Sequence, residues 1–489
     1  MKVFPSLMII IFSAVCGESA KILGVFPSNG YSQFILAEKL MSELAKRDHN
    51  VTVVSHFEPK TKIENYRTIL TDGPTGTEKD SLLDWANLGI FRAITTFHNF
   101  CYMLTEHILS HKKVQDLLLS NETFDLVIVE QFGNEAHMGF ASHFSVPLVT
   151  FSSIGLSEWN SHLVGNIKLP SIVPFSLSSH SNHMTFIQRV TNTMAHIFDA
   201  IYKELIYFPW QQSMLDKYFP EKMDLKRIMF NTSFMLLNSH SISTEPVQLT
   251  SSVAEIGGFH ITPNELPKSV QEFLDGAENG VILFSLGSNL KSSDLPRGTL
   301  DMILEVFRRI PQRIIWKFEE TDIHHKPDNV MISKWMQQSD ILAHPNTRAF
   351  ITHGGILSTT EAIHYGVPMI GIPILGDQYM NVARMVQKRL CINLPLPELT
   401  ENSFHEAIRE VIENPEYRNN AQKYSKIFRD RLNKPLDEAV FWIEYVLRHN
   451  GATHLRNASM DLYWFQLYTL DVWLFIFSWP TLFYLFGRA

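Results

Sequence analysis

The chain has 489 residues, 45% of them apolar and 19% charged, with a formal net charge of −8. These proportions exclude fibrous and disordered classes and leave room for two domains with cores of their own. A net negative chain without a lysine or arginine block also lacks the basic face needed to hold a phosphate backbone, so nucleic acid is not an expected partner.

At the amino terminus, Lys2, the apolar run Leu7–Val15 and the small residues near Gly17 read as a cleaved secretory signal over residues 1–17. Once Cys16 has left with it, Cys101 and Cys391 remain, expected as free buried thiols because they fall in different halves of the chain. The following stretch alternates between strand and helix. Ile22–Phe26, Val51–Ser55, Phe124–Val129 and Pro147–Ser152 read as strands, and Phe34–Lys46 and Glu135–Phe144 as helices. Such alternation implies a parallel, doubly wound sheet. Long aromatic-rich, mainly helical insertions run from Asp84 to Leu119 and from Gly155 to Tyr218, and the strand Phe234–Asn238 closes a first domain over residues 18–238. Asn50, Asn121, Asn231 and Asn457 begin glycosylation sequons that count only in a lumenal protein.

Ser239–Pro267, rich in Ser, Thr, Pro and Gly, reads as an interdomain linker. A second series of strands follows over residues 268–455: Val281–Leu286, Ile314–Phe318, Val330–Ile332, Ala349–Thr352 and Met369–Ile372. Within it, Arg348–Asn381 carries the densest chemistry. An apolar strand breaks at His353-Gly354-Gly355, and a helical pattern starts with Ser358 or Thr359 in its first turn and Glu361 just inside. Glycines there let backbone approach a ligand, a helix start offers unpaired N–H groups, and His353 adds a donor, so this is an anion site. The next strand delivers Gly376-Asp377-Gln378, whose carboxylate and amide suit sugar hydroxyls.

This punctuation resembles the signature of the UDP-glycosyltransferases and is most similar to their arthropod branch. The resemblance implies the α/β architecture called GT-B, two doubly wound Rossmann-like domains facing a cleft, and transfer of a hexose from a UDP-sugar, UDP-glucose over UDP-glucuronate, to small lipophilic acceptors. Matched residue by residue, it implies that Trp335 stacks on uracil and Gln338 reads its edge. Ser285, Gly287 and Ser288 form a turn for the diphosphate, which His353, Gly355 and Ser358 also face. Glu361 holds the ribose, and Asp377 and Gln378 hold the transferred sugar. Leu357 departs from the polar residue common there, and His324-His325 read as surface loop. No cofactor beyond the UDP-sugar co-substrate is expected, and no metal, since a helix dipole and His353 can stabilise departing UDP.

On the acceptor side the pattern breaks. A hydroxyl acceptor needs a base that titrates near neutrality, in this family a His steadied by an Asp. Gln33 stands at the His position and Glu130 at the Asp position, with Glu135 as a substitute and a solvent-facing strand end as the plain alternative for Glu130. His49 falls at the wrong edge of the sheet; His56 falls at the right one. Three readings stay open: acceptors that need no deprotonation, a Glu acting as base, or a catalytically impaired binding protein of the same fold.

The carboxyl end, residues 462–486, is apolar and aromatic but carries Gln466, Asp471 and Pro480. It reads as a marginal membrane anchor or an interfacial segment, with the catalytic domains in the lumen of the endoplasmic reticulum. Self-association is left open.

Overall fold

The computed structural model describes residues 19–73, 88–288 and 291–486. The signal sequence, the start of the first insertion and the last three residues lie outside these.

Seven strands form the first sheet: β1 (Lys21–Phe26), β2 (Asn50–Ser55), β3 (Tyr66–Leu70), β4 (Leu126–Glu130), β5 (Leu148–Ser152), β6 (Thr232–Leu237) and β7 (Val253–Glu255). Their spatial order is β3-β2-β1-β4-β5-β6-β7, and every pairing is parallel. The second sheet holds β8 (Val281–Ser285), β9 (Arg313–Lys317), β10 (Val330–Ser333), β11 (Thr347–Thr352), β12 (Met369–Gly371) and β13 (Cys391–Asn393) in the order β10-β9-β8-β11-β12-β13, again all parallel. Central strands such as β4, β5 and β8 are buried along their whole length, as parallel strands covered by helices on both faces must be. In both sheets the strand order reverses about the first strand, and the carboxyl ends beside that switch point open onto one shared cleft.

Two findings redraw the expected domain edges. β7 lies inside the span read as linker, where three residues among Ser, Thr and Gly add a short edge strand to the first sheet. The helix Pro435–Arg448, inside the span assigned to the second domain, packs Ala439, Val440, Ile443 and Val446 into the core of the first. Trp442 stacks on Phe234 of β6 with ring centroids 4.5 Å apart. Arg47 ties the same helix down through Asp437 at 2.8 Å.

The predicted helix Glu135–Phe144 is a 3-10 turn, Glu135–Met138, running into a short helix, Gly139–His143. Cys101 and Cys391 are free and buried. Near the carboxyl end a short helix Trp464–Leu467 precedes the apolar helix Leu470–Phe486 of 17 residues. At about 1.5 Å per residue it falls short of a hydrocarbon core of roughly 30 Å. Among the described residues no helix is long and apolar enough to cross a membrane.

Candidate active site

The cleft between the sheets has a volume of about 2210 Å³ and is lined from both domains. Strand ends of the second sheet build one wall. β8 turns at Ser285, whose Oγ accepts from the Gly287 N–H at 3.2 Å, and Gly287 takes φ +86°. β11 ends at His353, whose ring lies wedged between two glycines. A Cβ on Gly287 would come within 2.5 Å of its Cε1, and one on Gly355 within 2.5 Å of its Nε2. Only glycine leaves the imidazole room to face the cleft. Burial, with the Lys317 ammonium adding to it, pushes His353 down to about 4, so the ring is neutral at physiological pH. A neutral ring can offer a hydrogen-bond donor there but no charge.

The helix Ile356–Tyr365 starts at Gly355, with no side-chain cap on its first N–H groups. Those donors and the positive end of its dipole face the site. Ser358 and Glu361 stand on its first two turns, and Gln338 joins them, its Nε2 donating to Glu361 Oε2 at 2.7 Å and Ser358 Oγ at 3.0 Å. Gln338 thus fixes the carboxylate that the resemblance gives to the ribose. Trp335 is 46% exposed in the cleft and meets Tyr31 of the first domain edge to face, ring centroids 4.9 Å apart. Lys60 lies over the same indole at 4.9 Å. Ser288 and Leu357 line the cleft nearby, and Leu357 also packs against the apolar core of the first domain.

Gln378 plays a structural part that its sequence position hides. Its Oε1 accepts from the N–H groups of Ile374 (2.9 Å) and Leu375 (3.0 Å), pinning the turn that carries Asp377, so only its amide N–H pair is left for a ligand. Burial pushes the Asp377 carboxyl up, opposed by Asn381 Nδ2 donating to it at 2.7 Å.

Across the cleft, Gln33 sits on the first turn of the helix Tyr31–Lys46. Its Oε1 accepts from Ser28 Oγ, and its Nε2 donates to Ser153 Oγ at 3.1 Å. Behind Ser153 and Gln33, at the end of β4, Glu130 is 1% exposed and neither carboxylate oxygen makes a well-formed hydrogen bond. Desolvation pushes it up to about 7, although Ser153, the Ser28 backbone and Gln33 lie near enough to draw it back. Glu135 points elsewhere, into a buried group with Lys203 and Asp199, where burial also raises it to about 7. The carboxylate beside Gln33 is therefore Glu130.

Histidines other than His353 fall in several places. His49 accepts from Ala20 N–H at 3.2 Å at the amino-terminal edge of β2, and His324-His325 stand in an exposed loop. His56 is held by Thr71 Oγ1 at 3.0 Å, and its ring lies 5.7 Å from that of His107, which does line the cleft. The His98–Asp199 pair, 2.7 Å apart, has the form of a catalytic dyad but both side chains are fully buried, with His98 against Tyr207 and outside the cleft. Sequence reasoning missed three cleft residues, Lys317, His107 and His260. The last comes from the linker and reaches Glu361 Oε1 at 3.5 Å. For His107, the spacing from Phe100 and Met103 on one helix face was the available signal; linker composition offers none for His260.

Comparison with known proteins fits this geometry. The family model described as "UDP-glucoronosyl and UDP-glucosyl transferase" matches residues 18–483. The chain belongs to this family. Among its relatives is UDP-glucosyltransferase 2 of Dactylopius coccus, 37% identical over 483 residues, covering 97% of this chain and 93% of that one. Human UDP-glucuronosyltransferase 2B15 is 31% identical over 493 residues, with 94% and 91% covered. The calicheamicin glycosyltransferase CalG4 has the same fold, with a TM-score of 0.61 at 17% identity over 88% of this chain and 99% of that one. The glycosyltransferase VinC, solved in complex with dTDP, aligns with a TM-score of 0.60 at 15% identity over 88% of this chain and all of that one. The protein is thus a UDP-glycosyltransferase of GT-B architecture.

Proposed function

We propose that this UDP-glycosyltransferase transfers glucose, with inversion, from UDP-glucose to small lipophilic acceptors, and that it favours amines or groups already ionised. The carrying observation is Gln33. Its amide is engaged on both sides by Ser28 and Ser153 at the position where the resemblance calls for a histidine, and an amide takes no proton at neutral pH. An amine attacks the anomeric carbon with its own lone pair and sheds a proton afterwards. The helix start at Gly355 and the neutral His353 would receive the diphosphate charge as the bond to UDP breaks, which supports a reaction without a metal. Glucose rather than glucuronate rests on the name of the Dactylopius coccus relative. The test is turnover with UDP-glucose, UDP-galactose and UDP-glucuronate, each against a matched phenol and arylamine; glucuronate transfer exceeding glucose transfer would overturn the donor, and equal phenol and arylamine rates the acceptor preference.

A second reading of the chemistry has its own support. Glu130 raised to about 7 has the proton affinity of a base working near neutrality, and Ser153 could pass it the proton of an acceptor hydroxyl. Loss of phenol activity in Glu130→Gln with arylamine activity kept would favour it.

We also place the protein in the lumen of the endoplasmic reticulum, held at the membrane through residues 462–486. The exposed Trp464, Tyr468 and Trp473 support this, since such rings favour the headgroup level.

A further inference from the structure

Beside the cleft lies a second space of about 470 Å³. Ile154, Ile356 and Asp377 line both, so the partition between them includes the carboxylate that the resemblance gives to the transferred sugar. Both domains contribute to it. Leu156, Lys168 and Val173 come from the insertion after β5, Glu245 and Val247 from the span between β6 and β7, and Met380 and Arg384 from the helix Gln378–Gln387 that begins beside Asp377. Most of the lining is apolar. Ile167, Leu169 and Ile172 belong to it while 37% to 54% exposed, and apolar side chains exposed around an opening are what an apolar ligand covers.

One charged group in this space is left incomplete by the protein. Arg384 is only 9% exposed, its Nε has no hydrogen-bond partner, and the nearest carboxylate oxygen, Glu245 Oε2, stands 3.7 Å away, too far to accept a hydrogen bond. Burial weighs against its charge, yet a guanidinium stays protonated. The acids around it are better supplied. Glu158 accepts from Lys168 Nζ at 3.2 Å and Ser176 Oγ at 2.8 Å, Glu245 from the Asn182 N–H at 3.3 Å, and Asp377 from Asn381 Nδ2 at 2.7 Å. Lys388, one turn further along the same helix and half-buried, adds positive charge, with Glu245 opposing it. The unmet charge is therefore that of Arg384, and it calls for an anion. A buried cation with its donors unused is costly, and a bound acceptor removes that cost. A guanidinium fork matches a carboxylate or a phosphate. The walls decide between them, because a phosphate is polar over its whole surface and would leave the apolar lining uncovered. Asn182 Oδ1, also in the lining and without a partner, leaves room for one hydroxyl on the same ligand.

We infer that this interdomain space is a second binding site, for a small acid with an apolar body, its carboxylate on Arg384 and its hydrocarbon part against Leu156, Val173, Val247 and Met380. It is separate from the cleft in which the proposed transfer takes place, and it does not depend on that proposal. An occupant would touch the first domain, the span that joins the domains and the helix next to Asp377, and so tie the two halves of the enzyme together from outside the cleft.

The test is calorimetry on the full-length protein in excess UDP, titrated with benzoate, phenylacetate and octanoate and with the corresponding neutral amides. At least one acid should bind with a Kd below about 1 mM, and its amide about tenfold more weakly or worse, since the amide lacks the charge that the fork takes up. Arg384→Gln should weaken the acid by about tenfold or more and leave the amide unchanged. Val247→Trp narrows the space without removing the guanidinium and should weaken both. A single cooperative thermal melt shows that each variant is folded; if Arg384→Gln does not fold, Val247→Trp and the comparison of acid with amide decide. No acid binding in the parent, or acid and amide binding alike, would overturn the inference. Acid binding untouched by Val247→Trp would overturn it too, by placing the acid in the cleft.

Discussion

Gln33 and Ser153 are joined across the acceptor side of the cleft, Nε2 to Oγ at 3.1 Å, and together they stand between the cleft and Glu130. Ser28, which also lines the cleft, is the third neighbour of that carboxylate. A well-placed base contributes on the order of a hundred- to ten-thousand-fold to the transfer of a proton from an acceptor hydroxyl. Gln33→His should therefore raise kcat/KM for a phenol toward the upper part of that range while changing the arylamine value little. Matched kinetics on both acceptors check this; no gain for the phenol would mean that another base, with Glu130 and His107 the next to remove, already serves.

Glu130 should also leave a mark on stability. Its folded value, about 7, lies above the ordinary 4.5, so the stability it contributes is fully present below about pH 4.5 and is lost as pH rises through about 7. Replacing it with Gln removes that loss. Relative to the parent, Glu130→Gln should gain up to ~3 kcal/mol between pH 5 and pH 8. Urea midpoints at the two pH values measure it, and a difference independent of pH would show that Glu130 titrates normally.

Saturating UDP should stabilise the protein by mass action, by about 2.7 kcal/mol at a hundred times Kd. Glu361→Ala should erase much of that shift, because it removes the carboxylate that Gln338 holds at 2.7 Å in the cleft. Thermal melts with and without UDP give the answer, and an unshifted parent would sink the donor-site assignment.

Gln378 separates folding from binding. Gln378→Ala leaves two backbone N–H groups without their acceptor, at a cost of about 1–3 kcal/mol. Gln378→Glu keeps the acceptor but loses the amide donors, so it should melt closer to the parent while showing a larger KM for the UDP-sugar. Equal melting temperatures for the two variants would contradict the pinning role.

Deletion after Ser459 keeps the Ser459–Gly165 contact and removes the apolar end. The truncated protein should become extractable from membranes by alkaline carbonate while retaining UDP binding. Resistance to carbonate would show that the carboxyl-terminal helix is not the anchor.

The cleft wall from His353 to Gln378 was legible because its chemistry is local: glycine turns, a helix start and a strand end fall within about thirty consecutive residues, and each carries its own signature. Of the four strands at sheet edges, three were not. β3 is half exposed, while β7 and β13 have three residues each, too few for any alternation to register. Helical periodicity in Phe186–Tyr202 identifies two faces but cannot say which is inside, and here the inner one mixes Asn192 and Asp199 with Ala195, Asp199 being held by His98 from a distant segment. The choice between Glu130 and Glu135 likewise depended on which way a 3-10 turn aims, which spacing alone does not fix.

The helix Pro435–Arg448 sets a timetable. Its Ala439, Val440, Ile443 and Val446, with Ala452 just after it, complete a core whose other buried members come from the first 260 residues, so while the ribosome works through the second domain the first domain waits with an apolar slot uncovered. The second domain, whose cores draw nothing from beyond Phe428, can close first. A chain stopped short of residue 435 would thus present a finished carboxyl half and an unfinished amino half, and the amino half is what a chaperone in the same compartment would have to shield.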